Sequence, residues 1–118
     1  MTFRGRGTPR MKGDQFKATV TRVMGPDIFE ANIDLGFDLS LLKRFKLSGV
    51  DWSHMERMDS NERGKASEFL RGRIEGQQVI LRVVRKGEHY YARVYYGPEE
   101  RDVFNEMSDQ GLLRRFDS

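Results

Sequence analysis

Apolar and polar residues alternate along two segments near the start of the chain. Every second residue is apolar across residues 16–20, and again across residues 29–35. A period of two is typical of strands that bury one face. Gly25 and Pro26 lie between the two segments, and both residue types favour turns. The pattern predicts a hairpin whose buried face includes Leu35.

The period changes further along the chain. A third strand is predicted over residues 43–50, and the polar residues 53–59 are predicted to form a loop. Ser60 is then a suitable N-cap for a helix, and Gly76 is a suitable end. The apolar residues between them are spaced for one helical face. They are Ala66, Phe69, Leu70 and Ile74.

Alternation returns across residues 79–84 and 90–96, with Gly87 in the turn between them. This predicts a second hairpin, and alternation should bury half of its four tyrosines. After Pro98 a short helix is predicted, with Gly111 as its C-terminal stop. Its inward residues should be Val103, Phe104 and Met107.

Five strands with a helix between the third and fourth is the element order of an OB-fold. The predicted fold class is therefore mainly β (α+β), a five-stranded Greek-key barrel with a short C-terminal helix. The chain has 118 residues, which suits one domain. We assign that domain to residues 15–118. Residues 1–14 are rich in Gly and Arg and are expected to form a flexible basic arm.

Composition excludes several kinds of site and location. The chain has no cysteine, so disulfides and thiolate metal sites are absent, and its two histidines alone cannot hold zinc. No apolar run approaches the roughly 20 residues of a membrane helix, and the start of the chain lacks the apolar core of a secretion signal. We expect a protein of the cytosol (of the host, if the source is viral) or of a virion, and not a secreted one.

Two motifs carry a resemblance to a known family. Residues 31–37 read Ala-Asn-Ile-Asp-Leu-Gly-Phe, and residues 46–54 read Lys-Leu-Ser-Gly-Val-Asp-Trp-Ser-His. These resemble the catalytic strands of staphylococcal-nuclease-like (thermonuclease-type) domains. Phage-borne members of that family often have a strand spelled like Ala-x-Ile-Asp-Leu-Gly-Phe, followed by the signature Arg-Leu-x-Gly-Ile-Asp-x-Pro-Glu. The resemblance extends over residues 16–113 and implies the same OB-fold.

The resemblance also assigns roles by position. In the family, one Arg grips phosphate, an Asp holds calcium and a Glu positions or deprotonates water. Lys46 stands in place of that Arg, Asp51 keeps the Asp, and His54 replaces the Glu. His89 replaces a second phosphate-binding Arg, and Asp27 is the one carboxylate kept in the first turn. The implied catalytic residues are Lys46, His54 and His89, and the implied ligands for calcium or magnesium are Asp27 and Asp51.

These replacements change the expected chemistry. A lysine lacks the planar fork with which arginine grips phosphate, and a histidine of ordinary pKa is largely neutral at pH 7. We therefore predict a catalytically degenerate domain that binds nucleic acid or a protein partner. One alternative is a metal-dependent endonuclease in which His54 is the general base and His89 the general acid. A second alternative is a phage accessory or structural protein.

Basic and aromatic residues indicate where nucleic acid would bind. The net charge is +3, and the first 25 residues hold six basic side chains against one acidic one. The arm is suited to phosphate backbones, and Trp52 is either a stacking platform, a partner contact or part of the core. Arg85 and Lys86 add basic surface. The residues predicted to contact nucleic acid are Arg4, Arg6, Arg10, Lys12, Lys46, Trp52, Arg82, Tyr91 and Arg93.

Overall fold

A computed structural model describes residues 15–116. The predicted arm therefore lies outside the described residues. In chain order the strands are β1 (Gln15–Val23), β2 (Ile28–Gly36), β3 (Leu39–Leu47), β4 (Gln78–Lys86), β5 (His89–Tyr96) and the two-residue β6 (Arg101–Asp102). The helices are α1 (Trp52–Arg57), α2 (Ser60–Ile74) and α3 (Val103–Asp109).

The long strands close into a barrel. They follow the order β3-β2-β1-β4-β5-β6, with antiparallel pairing between neighbours. A short parallel pairing between β3 and β5, at Lys46 with Tyr91 and Leu47 with Ala92, joins the two sides. Helix α2 lies between the third and fourth strands of the chain. The predicted five-stranded OB-fold barrel is confirmed, with β6 as a small addition.

The core follows from the alternation in the sequence. Phe29 and Phe45 are fully buried and stack with ring centroids 5.6 Å apart. One face of α2 is buried against the barrel, and its predicted members Ala66, Leu70 and Ile74 have no exposed surface. The predicted inward residues of α3 are buried as well. Apolar burial on this scale is the main force that holds such a small domain together.

The local predictions need three corrections. Residues 53–59 are not all loop, because α1 occupies Trp52–Arg57. Asp59, rather than Ser60, caps α2, and Asp59 and Glu62 form a capping box. Strand β3 begins at Leu39, so the β2–β3 hairpin is longer than its sequence pattern indicates. Leu35 consequently lies near the end of that hairpin and is 40% exposed, not buried.

The connection from β3 to α1 is tightly fitted. Gly49 has a φ of +87°, and a Cβ added there would lie 3.2 Å from Cε2 of the buried Phe104. The carbonyl of Gly49 also accepts a hydrogen bond from the Phe116 N–H at 2.8 Å. Both the backbone conformation and the close contact therefore favour glycine. This loop holds Asp51 and Trp52 in place at the site described below.

Gly49→Ala should lower the free energy of unfolding. Alanine is strained at this φ, and its Cβ would lie close to Phe104. Together these effects predict a loss of about 1 to 3 kcal/mol. Gly64→Ala is the matched control, because Gly64 lies inside α2 with open space around its Cβ position. That change should stabilise the protein by about 0.5 to 1 kcal/mol. Urea denaturation measures both, and equal effects of the two substitutions would contradict the account of Gly49.

Among the described residues, no helix has the length and apolar character needed to cross a membrane.

Candidate nucleic-acid interface

A cleft opens where β3 ends, α1 begins and β5 starts. Its volume is about 280 Å³. We call it the Trp52–Tyr91 cleft, because these two aromatic residues line it, one from α1 and the other from β5. Its lining consists of Leu47, Ser48, Gly49, Val50, Asp51, Trp52, Ser53, Lys86, Tyr91 and Phe116.

Cationic side chains lie over the aromatic rings of this cleft. The Lys46 Nζ is 4.5 Å from the Trp52 ring centroid, and the Lys86 Nζ is 5.7 Å from the Tyr91 ring centroid. Trp52 is 39% exposed, so it is neither core nor fully covered. Rings that stack with bases, next to ammonium groups that attract phosphate, are the combination that single-stranded nucleic acids require. Three predicted contact residues, Lys46, Trp52 and Tyr91, are thus brought together.

The neighbouring tyrosine repeats the pattern. The Lys43 Nζ is 5.0 Å from the Tyr90 ring centroid, and the Arg85 guanidinium carbon is 5.6 Å from it. Tyr90 packs against the core and edge-on against Phe45, whereas Tyr91 points to the other face of β5. As alternation predicts, Tyr90 contacts the core, and the two cations lie over its ring. The positive charges of Lys43 and Arg85 add to the basic character of this end of the barrel.

From the sequence, Lys86 is predicted only to add to a general basic surface. Its position over Tyr91 follows from the register of the β4–β5 hairpin, in which Lys86 lies opposite His89 and Val84 lies opposite Tyr91. The glycine turn at Gly87 fixes that register. Gly87 was therefore the feature of the sequence from which the position of Lys86 could be predicted. Tyr90 and Lys43 carried no such signal, because their contact depends on how the barrel closes.

Asp51 is occupied in capping α1. Its Oδ1 accepts hydrogen bonds from the backbone N–H groups of Ser53 at 3.1 Å and His54 at 3.4 Å. Its own N–H donates to the carbonyl of Arg114 at 2.9 Å. An aspartate in this position satisfies N–H groups that the first turn of a helix otherwise leaves unpaired. The side chain still borders the Trp52–Tyr91 cleft.

Asp27 lies deeper than Asp51. It is 3% exposed, and its Oδ2 is buried with no hydrogen-bond partner among residues 15–116. Burial raises the pKa of this carboxyl, although the positive charges of Lys46 and Arg63 and a hydrogen bond from its own backbone act against that rise. Arg63 is held in place by the carbonyls of Met55 and Met58, to which it donates at 2.8 and 3.1 Å. Within the described residues, the Asp27 Oδ2 is therefore an acceptor that lacks a donor.

The two histidines are in different environments. His54 is in the first turn of α1, where its Nδ1 is buried and has no partner within the part of the chain that the structure describes. His89 is exposed at the start of β5. Neither is among the residues that line the Trp52–Tyr91 cleft. Their roles as general base and general acid stay predictions.

The two predicted arginine contacts lie elsewhere. Arg93 is half-buried, and its guanidinium donates to the Asp102 carboxylate at 2.7 and 3.0 Å and to Asn105 at 3.3 Å. A guanidinium that donates two hydrogen bonds to a carboxylate of the same fold makes a structural contact. Arg82 is exposed on β4, directly opposite Arg93 in register, and outside the cleft. The remaining predicted contacts, Arg4, Arg6, Arg10 and Lys12, lie outside the described residues.

No protein-family model matches the chain, and no curated protein matches it.

The carboxylates of Asp27 and Asp51 can be compared with what a calcium or magnesium site requires. Calcium takes about 6 to 8 oxygen ligands, and protein sites usually supply several carboxylates. Within residues 15–116 no three His, Asp or Glu side chains group together in a way that could hold a metal ion. One oxygen of Asp51 is already shared by two backbone N–H groups. Asp27 and Asp51 therefore do not fit a dedicated metal centre on their own.

Proposed function

We propose that this protein is a staphylococcal-nuclease-like OB-fold domain that binds single-stranded nucleic acid and has lost most of the family's catalytic residues. The observation that carries the proposal is the Trp52–Tyr91 cleft, in which each of the two rings has a lysine ammonium over it, at 4.5 and 5.7 Å. This arrangement supports base stacking and phosphate attraction in one place. Lys46 is also the residue that the family resemblance aligns with a phosphate-binding arginine.

The balance of residues favours binding over cleavage. Cleavage of a phosphodiester needs cations that stabilise charge developing on phosphate, together with a positioned water. Here Lys46 stacks on Trp52, His89 replaces the second arginine, and Asp51 caps a helix. Binding requires only the rings and the positive charges. A protein partner, or a structural role in a phage, is the competing outcome of the experiment below.

The test is fluorescence anisotropy with labelled single-stranded DNA and RNA of about 12 nucleotides, within the usual site size of one OB-fold. Trp52→Ala and Tyr91→Ala should each weaken binding about 5- to 100-fold, because loss of one stacked base costs about 1 to 3 kcal/mol. Lys86→Ala should weaken binding and make the salt slope shallower by about 0.7, the value for one phosphate contact on a single strand.

Two substitutions outside the cleft serve as matched controls. Tyr95→Ala removes a half-buried ring from the same strand as Tyr91, and Lys65→Ala removes an exposed charge from α2. Both should leave affinity within about twofold. No binding at low salt, or equal losses in cleft and control variants, would contradict the proposal.

The same samples test the endonuclease alternative. They are incubated with calcium, magnesium, manganese or a chelator and examined for cut strands. A binding domain should leave the strands intact, its affinity should not change on chelation, and Asp51→Asn should not weaken binding. Metal-dependent cutting that is lost in both Asp51→Asn and His54→Ala would establish a nuclease in place of the binding function.

A further inference from the structure

Within the described part of the chain, strand β3 has a partner on one side only for most of its length. It pairs with β2 from Leu39 to Lys46, but it pairs with β5 only at Lys46 and Leu47. Residues 39–45 therefore present an open strand edge, and we call this segment the β3 edge. An open edge offers a row of backbone donors and acceptors that fits another β-strand.

The side chains of the β3 edge are unusually apolar for an exposed surface. Leu39 is 61% exposed, Leu41 45% and Leu42 53%. Leu39 and Leu41 lie on the strand face that further along carries the buried Phe45 and Leu47, so the core face of the sheet continues beyond the barrel. Proteins usually protect such an edge with charge, a proline or a covering element.

Two exposed charges flank the apolar residues. Asp38 precedes the β3 edge and Arg44 lies near its end. Within residues 15–116, neither side chain makes an ion pair or a hydrogen bond. The segment from 38 to 44 is therefore acidic at its start, has three leucines and Ser40 in its middle, and is basic at its end, where Lys43 and Arg44 are adjacent. Such a segment is complementary to a reversed copy of itself.

We infer that the β3 edge pairs antiparallel with the β3 edge of a second copy of this chain. A two-fold axis at Leu41 places residue 38 of each copy opposite residue 44 of the other. The Leu41 side chains then face each other, with Leu39 of each copy diagonal to Leu41 of the other. Each Asp38, which lies in the β2–β3 turn with a φ of +63°, then comes near an Arg44 of the other copy. The β2–β3 hairpins join into one continuous sheet.

Neither described end of the chain is paired with this edge. Gln15 starts β1, which is on the opposite side of β2 from β3 and pairs there with β4. Phe116 is hydrogen-bonded to Gly49, beyond the other end of β3. The Trp52–Tyr91 cleft lies at the opposite end of β3, so pairing leaves it open.

Sedimentation velocity of the full chain tests the pairing, at concentrations from about 10 µM to 1 mM to cover weak association. The wild-type protein should sediment faster as its concentration rises. Leu41→Lys should weaken association at least about tenfold, because it puts two like charges in direct opposition. Val84→Lys is the matched control, since Val84 is similarly exposed, at 41%, but lies on a different strand, where it pairs with Tyr91 of β5. It should leave association unchanged.

A charge-reversal experiment identifies the register. Asp38→Lys alone places the introduced lysine opposite Arg44, and Arg44→Asp alone places the introduced aspartate opposite Asp38. Each variant should therefore associate at least about tenfold more weakly than the wild type. An equimolar mixture of the two variants pairs opposite charges at both ends and should recover wild-type association. Circular dichroism confirms that each variant is folded. A wild-type protein that is monomeric throughout, or a mixture no better than the single variants, would overturn the inference.

Discussion

Asp102→Ala is expected to lower the free energy of unfolding by about 2 to 4 kcal/mol, the combined loss of a helix cap and a charge-assisted fork. One oxygen of Asp102 accepts from the Asn105 N–H at 3.2 Å and caps α3. The other oxygen accepts two hydrogen bonds from Arg93. The substitution removes both and leaves the guanidinium beside a buried helix without its carboxylate.

The environment of Arg93 makes this pair more stabilising than a surface ion pair. Burial lowers the pKa of Arg93, but the hydrogen bonds and the charge of Asp102, with a smaller contribution from Tyr95, raise it above the ordinary value. The carboxylate side chain is 10% exposed and the guanidinium side chain 29%. A pair removed from water in this way is costly to break from one side.

Urea denaturation at pH 7 measures the loss, and two further variants divide it. Asp102→Asn keeps an acceptor for the cap and should retain about 1 kcal/mol relative to the alanine variant. Arg93→Ala leaves the cap intact and should cost less than Asp102→Ala. Nucleic-acid affinity per folded molecule should be the same in all three, because the pair lies outside the Trp52–Tyr91 cleft. A loss of affinity in Arg93→Ala without a loss of stability would show that Arg93 belongs to the nucleic-acid-binding surface.

The Arg93–Asp102 pair shows what sequence patterns cannot give. Alternation along β5 correctly places Arg93 on the outer face, which is the face a ligand would use. Its partner Asp102 lies nine residues away, across a turn in which Glu100 has a φ of +50°. Neither the two-residue strand β6 nor that turn produces a period in the sequence. The contact therefore depends on tertiary geometry alone.

Asp51 illustrates a different limit. Its place in a family-like signature suggested a metal ligand, yet the same residue type is a preferred helix N-cap. Helix α1 has six residues, too few to show a helical period, so no pattern along the chain indicated that Asp51 caps a helix. The long strands and helices were easier to predict from the sequence. The strands and α2 were predicted because their buried faces repeat several times, and the prediction for Leu35 failed only where the hairpin extends beyond the barrel.

Asp27→Asn should make the protein more stable relative to the wild type as the pH rises. Burial raises the pKa of Asp27 above its ordinary value of 3.8, so the folded state holds this proton more tightly than the unfolded state does. Stability from the protonated carboxyl is fully present below the unfolded pKa and is lost as the pH rises through the folded pKa. Asparagine has no such proton and escapes this loss.

The measurement is the difference in free energy of unfolding between Asp27→Asn and the wild type, from urea titrations at a series of pH values starting near pH 4. The difference should grow by up to about 1.4 kcal/mol per pH unit until the folded pKa is passed, and stay constant above it. Asp109→Asn, at an exposed carboxylate, corrects for any general effect of pH on an Asp-to-Asn change. A difference that shrinks with rising pH would show that Lys46 and Arg63 outweigh burial.

Calcium added to the same titrations connects this carboxyl to the competing functions. A cation bound at Asp27 binds the ionised form, so it should stabilise the wild type at pH 7 by an amount that grows with its concentration, and should not stabilise Asp27→Asn. The binding domain proposed above should show the pH trend with or without calcium, because within the described residues the Asp27 Oδ2 is buried and close to Lys46 and Arg63 rather than to other carboxylates. Calcium-dependent stabilisation specific to the wild type would instead favour the endonuclease. The effect of calcium on the stability of the wild type and of Asp27→Asn thus distinguishes a binding domain from an endonuclease without an assay of cleavage.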